Sequence, residues 1–220
     1  MPDLDTQLHL EMLRSYKEQN SFVRRVRRAV REVVSPQKMY GLQWGDPEIS
    51  GPQGFMRNRY VLPYVKADHV ALEIGPGGGR WTRYLLGFGR LYVIDYHAEL
   101  LRELRERFNK PNMHFIVNNG ADFPGVPEGS VDYVISVACF VHLEPNIIAT
   151  YLKNILKILK PGGNAFITYS DKTKIGGQLN DSFSENSPAR MREMVTQAGF
   201  RILEEDSTIL WNSGIVLFTR

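Results

Sequence analysis

At 220 residues and 43% hydrophobic content, the chain can bury the core of one ordinary globular domain, and a formal charge of +3 at pH 7 is too small to argue by itself for nucleic acid. The single cysteine, Cys139, excludes an internal disulfide, and the acidic start MPDLDTQLHL lacks the basic-then-apolar order of a secretory leader, so a cytoplasmic protein is the expectation. No apolar run approaches the ~18 residues of a membrane span, and no His/Cys group has zinc spacing, so neither a membrane span nor a bound metal is expected.

In chain order, residues 5 to 34 read as a helix. Val23, Val26, Val30 and Val33 form an apolar stripe, flanked by Arg24, Arg25, Arg27, Arg28 and Arg31. Such a basic face is ordinarily solvated, with weak attraction to an anionic surface as the functional alternative. Residues 39 to 60, MYGLQWGDPEISGPQGFMRNRY, are rich in glycine and proline and read as a structured loop. We expect residues 1–60 to make a helical cap and lid, with Tyr40, Trp44, Arg57, Arg59 and Tyr60 available to roof a site, and residues 61–220 to make the main domain.

From Val70 onward, short β-rich runs alternate with helical periodicity. The runs are VALEI (70–74), LYVID (91–95), MHFIV (113–117), VDYVISVA (131–138) and NAFITYS (164–170). Between them lie the amphipathic segments HAELLRELRERF (97–108) and NIIATYLKNILKILK (146–160), the second stopping at Pro161-Gly162-Gly163. This rhythm predicts βαβ units and a largely parallel sheet covered on both faces. A helix over 187–200 and two runs, 201–210 and 214–220, predict a terminal hairpin.

The stretch VALEIGPGGGRW places Gly75, Gly77, Gly78 and Gly79 directly after the first strand, where a chain without Cβ atoms can turn sharply and let a ligand approach. A dinucleotide loop would need a glycine where Arg80 stands, and no phosphate-loop GK[ST] is present. The pattern Glu73-x-Gly75-x-Gly77-x-Gly79 resembles motif I of the class I S-adenosylmethionine-dependent methyltransferases. The resemblance continues through LYVIDYH, NNGADF, VPEGSVDYVISVACFVHLE, YLKNILKILKPGGNAFITYSD and MVTQAGFRILEED, covering about residues 60 to 220. It implies a Rossmann-like α/β fold whose seven-stranded sheet is parallel except for the last strand. It also implies S-adenosylmethionine as cofactor and S-adenosylhomocysteine as product. The implied cofactor residues are Glu73, Gly75, Gly77 and Gly79 in the loop, Asp95 on the ribose hydroxyls with Tyr96 beside it, and Asn119, Gly120, Ala121 and Asp122 at the adenine. Either Asn119 or Asp122 would meet the adenine amino group.

The acceptor is less defined. The [ND]-P-P-[YFW] tetrapeptide of amine-methylating DNA enzymes is absent after the fourth strand, where SVACFVHLE stands, so no DNA partner is expected. A small-molecule acceptor, such as a sugar or other hydroxyl compound, is favoured, with transfer to oxygen ahead of nitrogen. The alternatives are an RNA or protein methyltransferase using the basic N-terminal helix, and a non-catalytic member that binds cofactor or a partner. His142 follows the fourth strand and is the candidate catalytic base, the alternative being a loop-tying histidine. Cys139 reads as a small buried hydrophobe. The polar segment DKTKIGGQLNDSFSENS (171–187) is expected to roof the acceptor side, with Gly176-Gly177 as its hinge.

Overall fold

The structure is a computed structural model that describes Met39 and residues 41–220. The arginine-flanked helix expected over 5–34, and Tyr40, lie outside the described residues.

The seven strands are β1 (Val70–Ile74), β2 (Arg90–Asp95), β3 (Met113–Val117), β4 (Val131–Ser136), β5 (Leu159–Ser170), β6 (Arg201–Asp206) and β7 (Ser213–Thr219). They form one sheet in the order β3-β2-β1-β4-β5-β7-β6. Pairs among β1 to β5 are parallel, whereas β7 runs antiparallel to both β5 and β6. The helices are α1 (Gly51–Met56), α2 (Thr82–Leu85), α3 (Ala98–Phe108), α4 (Pro145–Ile158), α5 (Ile175–Gln178) and α6 (Pro188–Gln197). The chain steps outward from β1 to β3, then returns to β4 on the other side of β1. That reversal opens a crevice at the carboxyl ends of β1 and β4, where sheets of this kind receive ligands.

Strands buried on both faces need two apolar layers, which explains their nearly unbroken hydrophobic runs. In β4, Val134 joins Leu72, Ile94, Ile148 and Leu152 on one face, while Tyr133 and Ile135 join Val93, Leu101, Leu104 and Phe166 on the other.

Several boundaries differ from the sequence reading, and three of them have a clear local cause. Helix α4 ends at Ile158, because Leu159 is already extended (φ −66°, ψ 137°) and the proline at 161 disfavours a helical Lys160. Strand β5 therefore starts at Leu159 and carries Pro161-Gly162-Gly163 within it, the extra residues being absorbed where the β4–β5 register shifts between Val131 and Tyr133. Strand β6 stops at Asp206, whose Oδ1 collects the backbone N–H groups of Thr208 (2.6 Å) and Ile209 (3.0 Å).

The 39–60 loop is also more ordered than its glycines and prolines imply. Helix α1 continues through a π turn at Arg57–Val61 into a 3-10 turn at Leu62–Tyr64, so no break falls at residue 60. Met56, Tyr60 and Val61 are buried against the sheet, with the Tyr60 ring stacked 4.8 Å from that of Phe166.

Candidate functional site at the carboxyl end of the sheet

The glycine loop adopts the backbone that only glycine enters freely: Gly75, Gly77 and Gly79 have φ of +69°, +55° and +90°. Two neighbours press on it. A Cβ on Gly79 would sit 2.3 Å from the Phe108 ring and 2.6 Å from Leu104, so the loop lies directly on α3. A Cβ on Gly75 would sit 2.6 Å from the Cys139 sulfur, so the turn after β4 touches the loop after β1. Burial pushes the Cys139 thiol up to about 12, which leaves it a packing group rather than a nucleophile.

Glu73 is 3% exposed and accepts a 2.6 Å hydrogen bond from the Thr82 hydroxyl. Burial pushes its carboxyl up to about 8; the Thr82 donor opposes this, and the negative charge of Asp95 adds to it. Arg80, 4% exposed, stands where a dinucleotide fold has its packing glycine. Burial lowers its guanidinium to about 10, and Nη1 donates to the Gly45 carbonyl at 3.0 Å. Beside it Arg83 pairs with Asp46, and Tyr84 and Arg57 both donate to Glu48, at 2.5 and 2.8 Å. These contacts fasten residues 45 to 48 of the expected lid beside the glycine loop. The other proposed roof residues divide. Arg59 and Tyr60 both bind Glu204 of β6, at 2.9 and 2.5 Å, so they tie the lid to the sheet rather than face the crevice, while the Trp44 ring is largely exposed.

At the end of β2, Asp95 is buried, and its Oδ1 accepts the His97 backbone N–H at 2.8 Å with the His97 imidazole 3.0 Å away. Tyr96 is 64% exposed, its ring edge-on to His97. After β3 the loop ties itself: Asp122 Oδ1 accepts from the Asn119 N–H (3.0 Å), and Asn119 Oδ1 from the Ala121 N–H (3.1 Å). Gly120 holds φ +103° with open space where a Cβ would be. Asn118 opens the NNGADF segment. It is buried, donates to the Asp122 carbonyl (3.2 Å) and the Tyr151 hydroxyl (2.9 Å), and leaves Oδ1 without a donor.

At the end of β4, Ala138 has φ +63°, rare for a residue with a Cβ, and its N–H donates to the Thr168 hydroxyl at 2.9 Å. The following 3-10 turn, Phe140–His142, exposes His142. Its Nδ1 lies 2.8 Å from the Ser182 carbonyl, and the Phe183 ring packs edge-on at 5.5 Å. The segment after β5 thus reaches the expected base, but not through the expected hinge. A Cβ on Gly176 would sit 2.4 Å from the Trp211 ring, and one on Gly177 1.9 Å from the Asp171 carbonyl oxygen. Both glycines are buried and neither has a positive φ, so they are close-packing positions.

The site residues named from sequence therefore gather at the carboxyl ends of β1 to β4, close enough for the charge of Asp95 to act on both Glu73 and Cys139. Cavities of about 540 Å³, beside β3 and Arg105, and about 260 Å³, beside Lys66 and Asp132, lie away from this cluster. Among the described residues no group of three or more His, Cys, Asp or Glu side chains is arranged to hold a metal, and no helix is long and apolar enough to cross a membrane.

Residues 71–163, from the middle of β1 into β5, match the family described as "Methyltransferase domain". Over those residues the chain resembles a methyltransferase domain. Its fold is shared with solved S-adenosylmethionine-dependent methyltransferases. A complex of the Haloferax volcanii Trm112 methyltransferase activator with a methyltransferase aligns with a TM-score of 0.67 at 19% identity, over 81% of this chain and 91% of that one. A methyltransferase from Mesorhizobium loti gives 0.65 at 13%, over 79% and 99%. The N-methyltransferase NodS from Bradyrhizobium japonicum WM9, in complex with S-adenosylhomocysteine, gives 0.63 at 15%, over 79% and 90%. In sequence, the Ribosomal RNA small subunit methyltransferase A of Synechococcus sp. (strain JA-3-3Ab) is 29% identical over 96 residues. The chain spans about a third of the length of that relative: the match covers 42% of this chain and 34% of the other.

Proposed function

We propose that this methyltransferase domain methylates an oxygen atom of a small-molecule acceptor, such as a sugar or other hydroxyl compound, with His142 as the general base. The observation that carries the reading is the 2.8 Å contact between His142 Nδ1 and the Ser182 carbonyl. A carbonyl only accepts, so Nδ1 holds the proton of the neutral imidazole and Nε2 is the bare, proton-accepting nitrogen. An alcohol attacks poorly unless its proton leaves as the new bond forms, and a positioned base contributes ~10²–10⁴-fold.

The residues at the strand ends fit the cofactor. Gly75, Gly77 and Gly79 present a backbone without side chains beside a buried carboxylate, Asp95, and the hydrogen bonds described for that carboxylate use only Oδ1. In this reading Asp95 takes the ribose hydroxyls, Gly120 and Ala121 line the adenine edge, and Glu73 braces the loop through Thr82. S-adenosylmethionine supplies an activated methyl on a sulfonium, so the chain's own work is to align the acceptor and remove a proton. His142→Ala should lower methyl incorporation from labelled donor into a cell-extract acceptor pool by at least about a hundredfold, with S-adenosylhomocysteine affinity unchanged within a few-fold. Parallel loss of affinity and turnover would make His142 structural.

A second reading, an RNA acceptor, is favoured by the ribosomal RNA methyltransferase among the relatives. A gel shift with RNA that weakens steeply as salt rises would support it, because phosphate contacts release counterions.

A further inference from the structure

The turn after β4 and the segment after β5 are joined by a pair of hydroxyls. Ser170, the last residue of β5, is fully buried, and Ser184 is 4% exposed. The Ser170 hydroxyl donates to the Ser184 carbonyl at 2.8 Å and lies 2.9 Å from the Ser184 hydroxyl. Each hydroxyl has one hydrogen to give. With that of Ser170 directed at the carbonyl, the one Ser184 hydrogen is shared between the Ser170 oxygen at 2.9 Å and the Val141 carbonyl at 3.3 Å. The Ser184 backbone N–H donates to the Val141 carbonyl at 2.9 Å, one residue before His142. Ser182, two residues before this anchor, is thereby held with its carbonyl on His142 Nδ1.

We propose that Ser170 and Ser184 are positioning residues for methyl transfer: they hold the Ser182 carbonyl in place and so fix His142 with its proton on Nδ1 and Nε2 free. The inference rests on His142 being the base. A free histidine side chain carries its neutral proton mainly on Nε2, the nitrogen that must be bare for catalysis. The tautomer seen here is therefore one that the carbonyl imposes. During transfer the acceptor O–H bond breaks and an Nε2–H bond forms as the methyl passes from sulfur to oxygen. The imidazole becomes imidazolium while its Nδ1–H stays on Ser182, and the proton later leaves to solvent. The carbonyl favours that cation, as a hydrogen-bond acceptor facing a developing positive charge should. The two serines are buried away from solvent: removing the Ser170 hydroxyl takes the described side-chain donor from the Ser184 carbonyl, removing the Ser184 hydroxyl takes away its bonds to Ser170 and Val141, and either change loosens the segment that carries Ser182.

The test needs no identified acceptor. The full chain, labelled with ¹⁵N-histidine and saturated with S-adenosylhomocysteine, is examined by NMR across a pH series, the tautomer is read at the alkaline plateau, and the His142 signals are assigned by their loss in His142→Gln. We expect Nδ1 protonated and Nε2 bare in the unmodified protein. In Ser184→Ala the two nitrogens should move toward the free-histidine pattern, with methyl incorporation into an extract pool falling about tenfold and S-adenosylhomocysteine affinity within twofold. Should Ser184→Ala fail to fold, Ser170→Ala removes the contacts to the Ser184 carbonyl and hydroxyl from the strand side. An Nε2-protonated His142 in the unmodified protein overturns the proposal without any variant. An unchanged Nδ1–H pattern in both serine variants overturns the assignment to Ser170 and Ser184. Full turnover in His142→Ala would instead sink the base itself, while leaving the tautomer result intact.

Discussion

Two glycine-bearing segments sit at the carboxyl end of the sheet, and they use glycine for different reasons. In the loop after β1, Gly75, Gly77 and Gly79 hold positive φ, so the sequence must keep glycine at those turn positions. In the segment after β5, Gly176 and Gly177 have ordinary backbone angles but no room: a Cβ would meet the Trp211 ring at 2.4 Å or the Asp171 carbonyl at 1.9 Å. The first use leaves a spacing that can be read in sequence. The second depends on what packs against it, Trp211 from much later in the chain and the Asp171 carbonyl from just before, and in sequence it looks like a hinge.

The difference sets the largest expected effects. Gly77→Val should abolish S-adenosylhomocysteine binding in calorimetry, because a branched side chain at φ +55° strains the turn on which the proposed cofactor site is built. Its melting temperature should fall by less than that of Gly177→Ala. That second substitution should cost about 3 kcal/mol, since a backbone carbonyl must move to admit one methyl, yet leave the affinity of the folded fraction within a few-fold. If Gly177→Ala is neutral, the segment is mobile after all and the hinge reading returns.

The next effect probes the glycine loop's buried acid. Glu73, with its carboxyl pushed up to about 8 by burial, binds a proton in the fold that it would have released in the unfolded chain, where its ordinary value is 4.5. Its contribution is therefore fully present below about 4.5 and is lost as pH rises through about 8. Glu73→Gln keeps an acceptor for the Thr82 hydroxyl and removes the titration. The variant should match the unmodified protein near pH 4.5 and gain on it steadily toward pH 8. Each pKa unit is worth about 1.4 kcal/mol, so a gain on the order of 3 kcal/mol is expected near pH 7, read from urea midpoints across that range. A difference that does not change with pH would mean that Glu73 is ionised in the folded protein.

Much of the architecture was legible because it is periodic. The runs at 70–74 and 113–117 are strands with the expected bounds, and the order of motifs gave the seven-stranded topology with its antiparallel last strand. Strand β5 was placed too late because Pro161-Gly162-Gly163 reads as a turn, whereas in the fold a register shift in the neighbouring strand absorbs it. The acceptor side was less legible for a different reason. The group that fixes His142 is the carbonyl of Ser182, and a backbone atom has no letter in a sequence. Arg80 was informative only as a missing glycine. Its role in holding the Gly45 carbonyl needs the lid folded onto the loop.

The smallest effect, and the one that bears most directly on the readable half of the site, is at Asp95. Its carboxylate already accepts the His97 N–H at 2.8 Å, so part of its hydrogen-bonding capacity serves the turn after β2. What remains is available to a vicinal diol, and hydrogen bonds of this kind contribute about 0.5–1.5 kcal/mol each, more when the acceptor is ionised. Asp95→Ala should weaken S-adenosylhomocysteine binding on the order of tenfold to a hundredfold. Asp95→Asn, which keeps one carbonyl oxygen for the His97 N–H but loses the charge, should fall between the two. If Asn and Ala weaken binding equally, charge rather than turn geometry carries the interaction. If neither changes the affinity, the ribose is held elsewhere, and the half of the site that seemed plain in the sequence was matched to the wrong strand end.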